Sequence, residues 1–116
     1  MNAPDLGAPS SDLDQLAADP GVAWVAFVGP GRVLQRPEGR AEPLAQRLYP
    51  ALLDMWDTYA AVNRTPTMLN LRFEGEDILI LLGGAIFLVL KLKAGADLGR
   101  ITRRARTALL HQKLGA

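Results

Sequence analysis

The chain has 116 residues and no cysteine, one histidine, and only two Trp, two Tyr and three Phe. Without cysteine there are no disulfides, thiolate metal sites or cysteine nucleophiles. No apolar stretch reaches the roughly 20 residues of a membrane-spanning helix. Neither a Walker-type phosphate loop nor a GxGxxG turn occurs. The opening MNAPDLGAPSSD is acidic and lacks the basic and apolar regions of a signal peptide, so a cytoplasmic location is expected. A net charge of +1 makes no simple electrostatic case for nucleic acid or an acidic membrane.

Charge is nevertheless unevenly placed. Residues 1–20 carry Asp5, Asp12, Asp14 and Asp19 with no base. Residues 91–116 carry Lys91, Lys93, Arg100, Arg103, Arg104, Arg106 and Lys113 against Asp97 alone. Between these ends lies ILILLGGAIFLVL, Ile78 to Leu90, thirteen residues without a polar side chain. Gly83-Gly84 divides it, and β-branched and aromatic residues stand on both sides. The run reads as two strands joined by a tight Gly-Gly turn. A half-exposed strand alternates apolar with polar; these do not, so both faces of their sheet must be covered.

Pro4, Gly7 and Pro9 give residues 1–10 the character of a disordered tail, leaving 11–116 as a single domain. Ser10 or Ser11 can cap a short helix, Asp12–Ala18, that Asp19-Pro20-Gly21 stops. Val22–Val28 is an apolar strand, Gly29-Pro30-Gly31-Arg32 a turn, Val33–Arg36 a second strand and 37–40 a loop. A long helix runs from Glu42 to about Val62, with Pro50 expected to kink or split it near Tyr49. Thr67–Phe73 is a strand, 74–77 a hairpin turn, and the two strands of the apolar run follow. Asp97 is placed to cap a last helix from Leu98 to about Leu114. Hairpin connections predict an antiparallel sheet, and three helices suffice to cover its two faces. The fold class is α+β, a three-layer α/β/α sandwich.

The long helix has more apolar surface than a sheet needs. At about 100° per residue, Gln46, Arg47, Asp54, Asp57 and Thr58 share an arc of roughly 120°. Leu44, Leu48, Leu52, Met55, Tyr59 and Val62 form a side that can lie on the sheet. Ala45, Tyr49, Leu53, Trp56 and Ala60 form a second side that needs another partner. A loop or the tail of the same chain is one such partner; a second copy is the other, since exposed apolar patches with aromatics mark interfaces. Strand 67–73, between a helix and a hairpin, is expected at a sheet edge, where it invites pairing.

The element order helix–β–β–helix–β–β–β–helix resembles the roadblock/LC7 domain. AGADLGRITRRARTAL, Ala94–Leu109, looks like that family's ending, and GVAWVAFV, Gly21–Val28, is similar to its first strand. The resemblance covers about residues 11–114. Gly29-Pro30-Gly31 replaces the family's usual Asp-Gly turn. The resemblance implies a five-stranded antiparallel sheet, with the long helix on one face and the terminal helices on the other. It also implies a dimer made by Tyr49, Leu53 and Trp56 with Thr67, Met68, Leu69, Asn70, Leu71, Arg72 and Phe73; Ala60 adjoins the same helix side. Members act as non-catalytic adaptors, several of which bind and regulate Ras-like small GTPases, and the bacterial ones are mostly linked to polarity or motility systems.

No catalytic constellation or cofactor motif stands out, and an enzyme is not expected. His111, in the last turn of the final helix, can interact with the helix's carbonyl ends. Asp54 and Asp57 read as a solvated face, and Glu74, Glu76 and Asp77 as a soluble hairpin. Arg100, Arg103, Arg104 and Arg106 are either a solvated helix face or a contact for an acidic partner. The expected function is thus a homodimeric adaptor for a small GTPase. Alternatives are a structural assembly subunit without a GTPase, and a nucleic-acid-binding module using the basic helix, which lacks an aromatic stacking surface.

Overall fold

Strands that are apolar on both faces must be sealed from both sides, and the chain does this with three helices around one sheet. The computed structural model describes residues 4–38, 42–83 and 85–115. In order these form α1 (Pro4–Ala17), β1 (Val22–Gly29), β2 (Arg32–Arg36), α2 (Glu42–Ala60), β3 (Met68–Phe73), β4 (Glu76–Leu82), β5 (Phe87–Leu92) and α3 (Leu98–Gly115). The sheet order is β2-β1-β5-β4-β3, with every neighbouring pair antiparallel. The three-layer α+β architecture is the one expected.

Alternate residues of the central strands supply two separate cores. On one face Leu13 and Leu16 of α1 and Ile101, Ala105 and Ala108 of α3 pack with Val25, Phe27, Leu79, Leu81, Leu88 and Leu90. On the other, α2 lays Leu48, Leu52, Met55 and Trp56 against Ala26, Val28, Ile78, Ile80, Phe87 and Val89. The pairing of β1 with β5 shifts between Val22 and Trp24. This shift lets Val22 join Val25 in the first core while Trp24 joins the second.

Several elements differ from expectation. Helix α1 begins at Pro4, two turns before Asp12, so Ser10 and Ser11 lie inside the helix and do not cap it. Proline suits a first helical position because its missing N–H would be unpaired there anyway. Helix α2 is continuous through Pro50. That proline is exposed, so the gap in the helical ladder faces water while the apolar sides hold the helix to the sheet. The β4–β5 turn is reached later than Gly83-Gly84: Gly83 N–H donates to the Ile86 carbonyl at 3.0 Å, and the next pair is Leu82 with Phe87. Gly84, residues 39–41, and the side chains of Leu44 and Ala45 lie outside the described residues. The β1–β2 hairpin closes over Pro30-Gly31, with Gly29 opposite Arg32 and Gly31 at φ +63°. Pro-Gly thus does the work expected of Asp-Gly: proline fixes φ near −65° and glycine accepts the positive φ.

A buried carboxylate ties the α1–β1 junction to α3. Asp19 is 4% exposed. It accepts hydrogen bonds from Gly21 N–H at 2.9 Å and from Arg100 Nε and Nη2, both at 3.0 Å. Arg104 stands 3.9 Å away. The forked Arg100 contact, then the Gly21 N–H, hold the Asp19 carboxyl below its ordinary value of 3.8 against the opposing effect of burial; Asp19 raises Arg100 in turn. Asp97 caps α3 as expected, its Oδ1 accepting the Arg100 N–H at 3.1 Å. Beside this tie, a Cβ on Gly21 would meet Ala96 Cβ at 2.8 Å and Ile101 Cδ1 at 3.0 Å.

Two stability effects are expected. Asp19→Ala lowers unfolding free energy by about 2 kcal/mol at neutral pH, since it removes charge-assisted bonds and orphans a buried N–H. Because the folded carboxyl titrates below the unfolded one, its contribution is present above pH 3.8 and lost as pH falls through the lower, folded-state value. Denaturant unfolding at several pH values should therefore show a shallower acid limb in the variant. Gly21→Ala should lower the melting temperature by several degrees, because backbone and core side chains must move to admit one methyl group.

Candidate interaction surface

Strand β3 pairs with β4 and forms one edge of the sheet, as its sequence context predicted. The direction of its backbone groups follows from one bond. Leu82 N–H donates to the Thr67 carbonyl at 3.0 Å, which makes Thr67–Leu82 a hydrogen-bonded pair. Bonded and non-bonded pairs alternate in an antiparallel ladder. Leu69, Leu71 and Phe73 therefore direct their N–H and C=O groups inward to β4. Met68, Asn70 and Arg72 direct theirs outward, off the edge.

The side chains divide on the same parity. Leu69 and Leu71 are half-buried beside Ile80 and Ile78, on the α2 side. Phe73 continues that row and is 50% exposed. Met68, Asn70 and Arg72 project toward the α1–α3 side and are exposed. Arg72 pairs with Asp77 at 3.1 Å, and Lys91 with Glu76 at 3.2 Å.

Helix α2 rests on β1, β2 and β5. Both of its expected apolar sides contribute, and the division between them needs correcting. Tyr49, expected on the unpartnered side, packs on the sheet: its ring lies 5.6 Å from that of Phe87, and its hydroxyl donates to the Ala85 carbonyl at 3.3 Å. Leu53 and Trp56 are half-buried against the same core, and Ala60 and Thr67 are exposed. Tyr59 and Val62, expected on the sheet side, stand in solvent. Among the described residues six large hydrophobic side chains are exposed; Tyr59, Val62, Met68 and Phe73 are four of them. They gather the apolar surplus at the end of α2 and along β3. Sequence periodicity does not reveal which strands α2 crosses, and so misassigns its two ends.

The arginine cluster divides as well. Arg100 and Arg104 are engaged with Asp19. Arg103 and Arg106 are exposed on α3, and no side-chain partner is seen for either among the described residues. The sequence marks Asp19 only as part of a helix stop; its pairing across 81 residues has no local signal. His111 turns to α1, with Nδ1 3.1 Å from Asp12 Oδ2, instead of serving its own helix end. Asp54 and Asp57 are exposed. Among the described residues no three His, Cys, Asp or Glu side chains gather as a metal site, and no helix is long and apolar enough to cross a membrane.

No family model and no curated protein matches the sequence at a significant level. Solved structures do. MglB from Myxococcus xanthus superposes with a TM-score of 0.80 at 15% identity, covering 98% of this chain and 92% of that one. The gliding protein MglB from Thermus thermophilus gives 0.81 at 14% identity, with coverage of 100% and 93%. An MglB in a tetrameric arrangement gives the same score and identity over the same shares. Likeness at this identity is likeness of fold, and it extends from end to end: the chain has the fold of MglB, a protein of the roadblock/LC7 type its sequence resembles.

Proposed function

We propose that the chain is a non-catalytic, cytoplasmic adaptor whose domain, residues 11–116, forms a homodimer through β3 and α2 and binds a Ras-like small GTPase. The observation that carries the dimer is the coincidence of an edge strand with four of the six exposed large hydrophobic side chains among the described residues. An unpaired edge flanked by apolar side chains is a template for a second strand. Two copies of β3 related by a twofold axis through Asn70 would bring the outward groups of Met68, Asn70 and Arg72 opposite those of Arg72, Asn70 and Met68. Such an interface is isologous and closes on itself. Leu53, Trp56, Leu69, Leu71 and Phe73 then lose their remaining exposure. The tetrameric arrangement of a similar structure supports self-association.

The GTPase partner rests on the roadblock/LC7 resemblance. Arg103 and Arg106 are the cations best placed to meet an acidic partner, since Arg100 and Arg104 already serve Asp19. A structural assembly subunit without a GTPase is the second reading, and the same tetrameric neighbour favours it.

Two experiments test these readings. Light scattering should give a dimer at micromolar concentration and a monomer for Asn70→Pro, which removes an outward N–H without breaking a bond to β4. The variant's melting temperature extrapolated to low protein concentration should stay within a few degrees of the parent. A monomeric parent chain would overturn the dimer. Nucleotide hydrolysis by small GTPases of the same genome should change on adding the chain, with affinity lowered on the order of tenfold by Arg103→Glu with Arg106→Glu. Absence of binding to every candidate would leave the assembly reading.

A further inference from the structure

The outer faces of α2 and α3 carry free charge of opposite sign. On α3, Arg103, Arg106 and Leu110 share one exposed stripe at the spacing i, i+3, i+7. No side-chain partner is seen for either arginine among the described residues. Leu110 is 53% exposed and lies away from the β3 edge that gathers most of the apolar surplus. On α2, Pro50, Asp54 and Asp57 form an exposed stripe at i, i+4, i+7. No side-chain partner is seen for Asp54 or Asp57 among the described residues either. The two helices cover opposite faces of the sheet, so the stripes of one copy cannot meet each other.

Taken in opposite directions, the stripes match. Antiparallel helices set Arg103 against Asp57, Arg106 against Asp54 and Leu110 against the Pro50 ring, because their intervals of three and four residues then coincide. Parallel helices would leave Arg103 on Pro50 and Leu110 on Asp57. One turn beyond the charges stand Gly99 and Ala61, exposed and small, which lets the helices approach closely. Ala61 continues the helical path, its N–H donating to the Asp57 carbonyl at 3.1 Å. Helices that cross near the common angle of about 50° part within roughly two turns. Arg47, one turn before Pro50, then falls outside the contact. We propose that α3 of one copy docks antiparallel on α2 of a second copy. The contact joins unlike surfaces, so it is heterologous and copies add head to tail. It belongs to the assembly reading above and does not need the β3 dimer. It gives Arg103 and Arg106 an acidic partner in the chain itself, for which a GTPase would have to compete.

Sedimentation velocity of the full chain alone tests this. A contact of this size is weak, with a dissociation constant on the order of 0.1 mM, so the chain is run at up to about 0.5 mM. At about 10 mM salt, where charges act over about 30 Å, the mean mass should rise with chain concentration. At about 1 M salt, where that distance is about 3 Å, the mass should fall to a constant unit. That unit reports the β3 dimer; the mass added at low salt reports this contact. Two double variants of unchanged net charge separate the pairing from general electrostatics. Arg103→Asp with Asp57→Lys reverses one matched pair and should keep low-salt association within about twofold of the parent. Arg103→Asp with Asp54→Lys places like charges in both pairs and should weaken it about tenfold or more. All three positions are exposed, so both variants should melt within a few degrees of the parent. A parent mass that does not respond to salt, or equal association by the two variants, would overturn the proposal.

Discussion

The structure depends on the burial of β1, β5 and β4 on both faces. In β5 five of six residues are buried, and in β4 the last five of seven. A sheet of that kind cannot leave either face to water, because each buried Leu, Ile or Val contributes about 1.5–3 kcal/mol only while it stays covered. This forces a helical layer on each side and sets their placement over the central strands. It also determines what is left. β3 receives a partner on one edge only, and α2, drawn toward β1, β2 and β5, leaves its last turn in solvent. The apolar surplus on which the proposed dimer rests follows from how the core is covered.

The terminal helices need more than apolar contact, since the chain returns to α3 from the far end of β5. Asp19 supplies the tie. Its carboxylate joins the start of β1, through Gly21 N–H, to the first turn of α3, through Arg100. The close approach at Gly21 makes that joint a tight one. The same tie divides the basic helix: a cation that neutralises a buried carboxylate is not available to a partner. Arg103 and Arg106 stand apart from it, while His111 serves a second, exposed link to Asp12 of α1. The basic character of α3 is thus partly structural, which weakens a nucleic-acid reading.

Much of the fold is legible in the sequence because its signals are local. The apolar run from Ile78 to Leu90, the Asp97 cap and the strand bounds of β1 and β3 are written in adjacent residues, and the resemblance to roadblock/LC7 follows from their order. What cannot be read depends on distances the sequence does not contain. The partner of Asp19 is 81 positions away. Tyr49 reads as part of a free side of α2 because helical periodicity gives angles around an axis but not which strand lies beneath; the ring of Phe87 settles it. The start of α1 at Pro4 is hidden because proline and glycine usually mark loose chain, whereas proline in a first turn removes no bond.

The backbone of β3 discriminates between the readings of the α2–β3 surface better than its side chains do. Trp56 and Leu53 are half-buried within one copy, so their loss would disturb the monomer's own core as well as any interface. Phe73 and Met68 are exposed, but an apolar side chain on a surface can serve any partner. The outward groups of Met68, Asn70 and Arg72 are different. They are three donors and three acceptors in a fixed line, a pattern that another extended strand can match throughout and a helix cannot. A row that is complementary to its own reverse, centred on Asn70, is compatible with the twofold axis of the proposed dimer. Because its groups lie outside the monomer's core, this backbone edge is the part of the surface that can test that dimer without disturbing the fold.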